Sequence, residues 1–111
     1  MGLSLNYLAD QFVFWNLRKI KNGYLHLIDS RGDNHFFGNK NSELKVNLKI
    51  NNPNFSSQLL RKGSSGLGES YMKNEFETSH LPSLIELSAR NINVTYKFSG
   101  FFEFSFFKNF L

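Results

Sequence analysis

Residues 43–50, which read ELKVNLKI, decide the class of fold. Apolar and polar side chains alternate along this stretch, and the apolar ones are Leu44, Val46, Leu48 and Ile50. Because successive side chains of an extended strand point to opposite faces, one face of this strand is apolar and the other is polar. This pattern is typical of an antiparallel sheet that is covered on one side only.

A hairpin is predicted just before this strand. Residues 24–29 alternate, with Leu25 and Leu27 on one side. Residues 30–33 read SRGD, which is a turn sequence, and residues 35–37 resume as a second strand. The Arg-Gly-Asp tripeptide also suggests integrin binding, but its position between two strands favours a hairpin turn.

An apolar helix is predicted at residues 4–20. Ser4 can cap its start, and apolar side chains at spacings of three and four form one face. The members of this face are Leu5, Leu8, Phe12 and Trp15. The face either packs on the sheet, which is the commoner fate, or lies on a lipid surface.

Two further helices are predicted downstream of the strands. Residues 55–62 form a short helix that Asn54 can cap and that Gly63 stops, and a Ser/Gly-rich stretch follows. Residues 81–90 form the other helix, and Pro82 is tolerated in its first turn. Strands in succession with helices grouped around them predict an α+β fold: a small antiparallel sheet packed with three to four helices in a single domain.

The C-terminal residues are ambiguous. Residues 94–98 are compatible with a strand, whereas the phenylalanines between 101 and 110 fit neither the helical nor the strand period. Phenylalanine is abundant throughout, with 13 in 111 residues, so some of these side chains could line a cavity or a contact surface. The predicted organisation is one domain at 1–91 and a divergent, aromatic-rich tail at 92–111.

The composition narrows the classes of function. The chain has no cysteine and a formal net charge of +4. The absence of cysteine excludes disulfides, thiolate metal sites and cysteine catalysis. The positive net charge favours anionic partners such as nucleic acid, lipid headgroups or acidic proteins. No apolar run of about 18 residues occurs, so no membrane-spanning helix is predicted. Residues 1–7 lack a secretory pattern, which predicts a cytoplasmic location.

The most informative motif lies at residues 60–78, which read LRKGSSGLGESYMKNEFET. It resembles the signature near the end of the N-terminal domain of cyclopropane-fatty-acyl-phospholipid synthases, where a glycine-punctuated turn leads into Gly-Glu-(Ser/Ala)-Tyr-Met and an acidic-aromatic-acidic run. Residues 75–78 match that run in type, and the flanks agree, so the resemblance covers roughly residues 5–91. The direct matches are Gly66, Gly68, Glu69, Ser70, Tyr71 and Met72.

The sequence also departs from this family. Phe76 stands where tryptophan is usual, and His80 stands where an acidic residue is usual. Asn74 stands where glycine is common, which predicts a positive φ that asparagine tolerates. No match continues after Asn91, and the S-adenosylmethionine-binding domain of the family has no counterpart in this sequence.

The resemblance implies a non-catalytic, lipid-binding accessory domain, with no cofactor and no chemistry of its own. Its implied partners are phospholipid or an anionic membrane surface, and a S-adenosylmethionine-dependent methyltransferase domain or chain. The predicted lipid or partner contacts are Gly66, Gly68, Glu69, Tyr71, Met72, Phe76 and Trp15, and the predicted membrane-surface basic residues are Arg18, Lys19 and Lys21. Alternatively, the chain is a truncated or split-gene product that docks structurally on a separate catalytic chain.

Structural interpretations of the same residues remain open. Glu69 could accept backbone N–H groups of the glycine turn, while Tyr71 and Met72 fill the core. The three basic residues could simply complement a helix dipole at a solvated helix end.

Other chemistries have weaker support. The glycine-rich stretch 63–68 lacks the Gly-Lys-(Ser/Thr) of a Walker loop and follows a helix instead of a strand. His26 and His35 could face each other across the hairpin, but two imidazoles rarely suffice, so no metal site is predicted. Nucleic acid is not an expected partner, because no strand interleaves basic and aromatic residues as stacking platforms do.

Overall fold

The computed structural model of the chain describes residues 4–95 and residue 98, without the side chains of residues 64–66. Strands in succession and helices grouped around them make this an α+β fold, as predicted. The elements in chain order are α1 (Leu5–Leu17), β1 (Tyr24–Ile28), β2 (Asn34–Gly38), β3 (Lys45–Ile50), α2 (Phe55–Met72), β4 (Phe76–Glu77) and α3 (Leu81–Arg90).

The four strands form one sheet in the order β2-β1-β3-β4. The prediction of an antiparallel sheet is wrong in one pairing, because β1 and β3 run parallel while the other two pairs are antiparallel. Strand β2 returns along β1, and residues 39–44 then pass the N-terminal end of β1, beside Gly23. Strand β3 therefore begins beside the start of β1, where the Tyr24 N–H donates to the Leu44 carbonyl oxygen at 2.9 Å.

This path requires glycine at the end of β2. Gly38 has a φ of 91°, and a Cβ there would lie 2.2 Å from the carbonyl oxygen of Gly23. The same carbonyl oxygen accepts the N–H of Asn39 at 2.9 Å. A side chain at this position would separate the two segments, so the glycine allows β3 to pair with β1.

One face of the sheet and the helices enclose the apolar core. The alternation predicted for residues 43–50 is confirmed, since Leu44, Val46, Leu48 and Ile50 are buried. In the parallel register Leu25 lies beside Val46, and Leu27 lies beside Leu48. The helices contribute Val13, Leu17, Phe55, Leu84 and Leu87 to the same cluster. Val94 and Phe98 are also buried there, so the core extends past Asn91.

Helix α2 continues through the position where the sequence predicts a stop. The chain kinks at Gly63, whose φ of 64° and ψ of −146° are accessible to glycine, and helical backbone resumes up to Met72. The predicted glycine turn is therefore a kink within a helix. Asn54 does not cap α2 with its side chain; its Oδ1 accepts the Asn6 amide at 2.6 Å instead.

Two further local predictions are confirmed, whereas the C-terminal residues differ from expectation. Asn74 has a φ of 59°, as predicted, and Pro82 lies in the first turn of α3. The strand that the sequence left open for residues 94–98 does not form in their described part, because residues 92–95 are helical. The phenylalanine-rich stretch after residue 98 lies outside the described residues. Among the described helices, none is both long and apolar enough to cross a bilayer.

Candidate functional site

Four large apolar side chains of the described residues are exposed along one face of α1. We call this face the α1 stripe: Leu5, Leu8, Phe12 and Trp15, with exposed fractions of 81%, 47%, 47% and 60%. The prediction that this face packs on the sheet is wrong. The buried residues of α1 are Ala9, Val13, Asn16 and Leu17, which lie about 100° around the helix axis from the stripe at 3.6 residues per turn.

Polar contacts hold the helix that carries the stripe. Ser4 caps α1, as predicted, because its Oγ accepts the Tyr7 N–H at 3.0 Å. Asn6 accepts a hydrogen bond from the Ser57 hydroxyl of α2 at 2.8 Å. The buried Asn16 amide donates to the Phe12 carbonyl oxygen at 2.9 Å. The stripe is therefore presented on a helix that is fixed at its start, along its buried face and to its neighbour.

The C-terminal end of α1 carries a cluster of exposed cations. Arg18, Lys19 and Lys21 are all exposed, and the Arg18 guanidinium lies 5.0 Å from the centre of the Trp15 ring. In the described part of the chain, no carboxylate forms an ion pair with any of these three. Their charge is available to an external anion, and it adjoins the apolar stripe.

A cleft of about 350 Å³ opens between α1 and the edge strand β2. We call it the α1–β2 cleft. Five of its seven lining residues carry aromatic rings, but polar groups also form much of its surface; the seven are Gln11, Phe14, Trp15, Arg18, His35, Phe36 and Phe37. Trp15 belongs to both the α1 stripe and the cleft, so the two surfaces are continuous. The volume lies at the lower end of the range of about 300–1,000 Å³ that is usual for small-molecule pockets.

One wall of the cleft is fixed by a hydrogen bond between His35 and Asp29. The His35 Nε2 and the Asp29 carboxylate are 2.9 Å apart, and the His35 ring packs against Phe14 at 4.8 Å. Asp29 also accepts the backbone N–H groups of Arg31 and Asp33 at 2.9 Å each, which forms the predicted hairpin turn. Burial acts to raise the pKa of Asp29, but the hydrogen bonds from His35, Asp33 and Arg31 outweigh it and lower that pKa below its ordinary value.

The residues singled out by the family resemblance lie elsewhere. Phe76 is 1% exposed and belongs to the core. Tyr71 and Met72 are exposed, the latter by 82%, so the interpretation that they fill the core is wrong. The Tyr71 ring lies 5.6 Å from Phe76. No hydrogen bond, ion pair or ring contact of the described residues joins this segment to Trp15.

Glu69 and the neighbouring glycines form no binding loop. The Glu69 carboxylate is 3.2 Å from the Lys62 ammonium and 3.5 Å from that of Lys73, rather than bound to a glycine turn. The Lys62 ammonium donates to it and is the main cause of its lowered pKa. Gly66 and Gly68 both lie in the second half of α2, and Gly68 is exposed.

A second cavity lies inside the core and is apolar. It measures about 80 Å³ and is lined by side chains of α1, α2, α3 and the sheet, including Val13, Leu27, Leu67, Leu87 and Phe98. This is roughly half the volume of an engineered 150 Å³ cavity that binds benzene. The cavity has room for the end of a hydrocarbon chain, not for a whole acyl chain.

The histidines do not converge. The register places His26 opposite Phe36, and His35 opposite Leu27, so the two imidazoles are not cross-strand partners. His26 Nε2 lies 2.7 Å from the Asn34 side-chain oxygen, and His80 Nδ1 lies 2.8 Å from the Ser83 hydroxyl. Among the described residues, no group of three metal-ligating side chains is close enough to hold an ion.

Sequence reasoning missed the residues of β2 that complete the exposed surface. Phe36 is exposed, and its ring stacks on His26 at 4.7 Å and on Tyr24 at 6.2 Å. The alternation of residues 24–29 already placed Tyr24 and His26 on one side. Which residue of β2 joins them depends on the hairpin register, which the short strand sequence does not determine.

Comparison of the chain with protein-family models, curated proteins and solved structures found no match. The resemblance to the accessory domain of cyclopropane-fatty-acyl-phospholipid synthases therefore stays a prediction. What defines the candidate site is its own geometry: the α1 stripe, the cations at its end and the α1–β2 cleft.

Proposed function

We propose that this chain is a non-catalytic lipid-binding module that rests on an anionic phospholipid surface through the α1 stripe. The observation that carries the proposal is the exposure of Leu5, Leu8, Phe12 and Trp15 on one face of a packed helix. An apolar helix face beside clustered cations is the usual design of a peripheral membrane anchor. The accessory role is the one that the family resemblance implies.

Two contributions of similar size support this mode of binding. Full burial of one Leu or Phe side chain is worth roughly 1.5–3 kcal/mol, and the four stripe residues are about half exposed or more. Each cation near an anionic surface adds about 1 kcal/mol, and three of them lie at the end of the stripe. Because neither contribution alone anchors a protein firmly, binding should require both apolar insertion and anionic lipid.

The same proposal separates the role of this chain from that of a catalytic domain or chain. This chain binds and orients lipid, while methylene transfer belongs to a S-adenosylmethionine-dependent methyltransferase domain or chain. The exposed Trp15 suits an interfacial position, because its ring is apolar and its indole N–H is polar.

Vesicle binding tests the proposal directly. Trp15 is the single tryptophan of the chain, so its emission reports on the stripe alone. With vesicles rich in phosphatidylglycerol we expect co-sedimentation and a blue shift of the emission, both weakened by added salt. Absence of binding to such vesicles at low salt would overturn the proposal.

A matched pair of variants separates the stripe from general surface hydrophobicity. Leu8→Ser should weaken vesicle binding about tenfold, because one inserted side chain is lost. Met72 is also exposed, but it lies outside the stripe, so Met72→Ser should leave binding unchanged. Equal losses in the two variants would contradict a role for the stripe.

Docking on a separate catalytic chain is the second candidate function, favoured by the same exposed stripe. Exposed apolar patches mark protein contacts as well as membrane contacts. In that case the chain should co-purify with a methyltransferase, and Leu8→Ser should disrupt the complex. Vesicles should then produce no shift in Trp15 emission, which distinguishes this candidate from the first.

A further inference from the structure

The α1–β2 cleft has a chemistry that the stripe lacks. Its walls combine one permanent cation, Arg18, and the polar side chain of Gln11 with the rings of Phe14, Trp15, Phe36 and Phe37. None of the described residues that line it is acidic. A site with aromatic walls and one cation is suited to a ligand that has one anionic group attached to apolar carbon atoms.

Arg18 is already positioned to meet such an anion. Its guanidinium lies over the face of Trp15 at 5.0 Å, and no carboxylate of the described part of the chain pairs with it. A guanidinium held over an aromatic ring at this distance can still donate from its N–H groups. Arginine in this state can bind two oxygens of one phosphate at once, which lysine cannot do with the same geometry.

His35 also lines the cleft, and the carboxylate that it contacts does not offset the charge of Arg18. His35 is paired with Asp29 at 2.9 Å, and that carboxylate also accepts the N–H groups of Arg31 and Asp33. The negative charge of Asp29 is therefore directed into the hairpin turn. A ligand cation would find the Trp15 face occupied by Arg18, so the cleft favours an anion over a quaternary ammonium group.

The surroundings of the cleft point to the source of the anion. Trp15 lines the cleft and also belongs to the α1 stripe, so a chain that leaves the cleft passes directly onto exposed apolar surface. The volume of about 350 Å³ suits one headgroup and its first carbon atoms, not a large polar molecule. A free phosphate would leave the aromatic walls unused.

We propose that the α1–β2 cleft binds the phosphate headgroup of one lipid molecule, with Arg18 bound to the phosphate oxygens and the first carbon atoms held between Trp15 and Phe36. This inference rests on the proposed function in that it names the ligand of the same surface. It goes further by assigning a stoichiometric, saturable site, whereas the stripe alone gives only partition into a surface.

The test uses the full chain and decyl phosphate below its micelle concentration, measured by titration calorimetry. We expect saturable binding of one molecule per chain. Decyltrimethylammonium should not bind, and inorganic phosphate should bind much more weakly than decyl phosphate. If inorganic phosphate binds equally well, the apolar walls contribute nothing and the assignment to lipid is wrong.

Variants at neighbouring cations provide the control. Arg18→Met keeps the apolar stem and removes the charge, so it should weaken decyl phosphate binding about tenfold or more. Arg18→Lys should recover only part of that loss, because the bidentate contact is not restored. Lys19→Met should change little, since Lys19 does not line the cleft. Equal effects of Arg18→Met and Lys19→Met would overturn the assignment.

The two proposals fail in different ways. Vesicle binding without saturable binding of decyl phosphate would overturn the proposal for the α1–β2 cleft and leave the proposal for the α1 stripe intact. Saturable binding of decyl phosphate without vesicle binding would overturn the membrane role and leave the cleft as a site for single lipids.

Discussion

The two apolar faces of α1 are similar in composition and opposite in surroundings. Val13 and Leu17 pack into the core, while Leu8 and Phe12 of the same helix face outward. A helix that only had to support the sheet would carry polar residues on its outer face. The difference indicates that the buried face serves the packing of the core, whereas the exposed face serves contact with another molecule.

The largest expected effect comes from making the same change on each face. Leu17→Ala removes a side chain that is buried beside the interior cavity and should lower the free energy of unfolding by about 2–5 kcal/mol. Leu8→Ala should change that free energy by no more than about 0.5 kcal/mol, because the side chain is half exposed. Urea denaturation measures both.

The two substitutions should affect vesicle binding in the reverse order. Leu8→Ala should weaken it, while the Leu17→Ala protein that remains folded should bind normally. If Leu8→Ala were as destabilising as Leu17→Ala, the outer face would be part of a packed core and the contrast between the two faces would disappear.

The next largest effect is on the free energy of unfolding, and it concerns the chain just after α1, where the cations lie. The Asn91 side chain is buried; its Oδ1 accepts the N–H groups of Lys21 and Asn22 at 3.1 and 3.2 Å, and its amide donates to the Leu87 carbonyl oxygen. Asn91→Ala leaves these groups without partners, so we expect a loss of about 1–3 kcal/mol in the free energy of unfolding.

Asn93 offers a matched control for this prediction. It is exposed and lies in the same helical turn, so Asn93→Ala should leave the unfolding midpoint nearly unchanged. Equal midpoints for the Asn91 and Asn93 variants would show that the polar contacts of Asn91 do not hold the α1–β1 connection.

A smaller effect depends on pH and concerns the wall of the cleft. The pKa of Asp29 is lowered from its ordinary value of 3.8, so its ionised form stabilises the fold. That stabilisation is complete above the unfolded pKa and is lost as the pH falls below about 3.8 through the folded pKa. Asp29→Asn should be less stable than the parent at neutral pH, and this difference should shrink in acid.

The difference between the two proteins is the quantity to measure, because Asp10 acts in the opposite direction. Burial raises the pKa of Asp10, so its contribution to stability falls as the pH rises. Urea denaturation of both proteins across the acid range removes the part of the Asp10 contribution that comes from burial, while the charge of Asp29, which also raises the pKa of Asp10, is lost in the variant. A constant difference at every pH would contradict the assigned role of the Asp29 carboxylate.

Strands β1, β2 and β3 were predictable because their signals are local, whereas the two-residue strand β4 was not predicted. The alternation of residues 43–50 and the turn at residues 30–33 each follow from a few adjacent residues, whereas the positive φ of Asn74 was inferred from a resemblance to sequences in which glycine is common at that position. The parallel pairing of β1 and β3 was not predictable. It depends on how residues 39–44 pass the N-terminal end of β1. Local patterns carry no information about such a path.

The candidate site was predictable only in part. Trp15 and Arg18 were selected from sequence, but their stacking and the cleft they share with Phe36 require α1 and β2 to be placed together. The choice of the buried face of α1 was not determined either, since apolar side chains cover most of that helix. Where a helix has two apolar faces, periodicity cannot rank them, and the sheet decides which one it covers.

The smallest effect tests whether the glycines of the family-like motif serve binding or backbone geometry. Gly68 has helical backbone, and a Cβ there would meet nothing within 4 Å, so Gly68→Ala should raise the free energy of unfolding by about 0.5–1 kcal/mol. Gly63 has a φ of 64°, so Gly63→Ala should instead be destabilising. Neither change touches the α1 stripe, and vesicle binding of the folded variants should stay at the parental level. A loss of vesicle binding in Gly68→Ala, with the fold intact, would move the lipid contact from α1 to α2 and overturn the contrast between the two faces of α1.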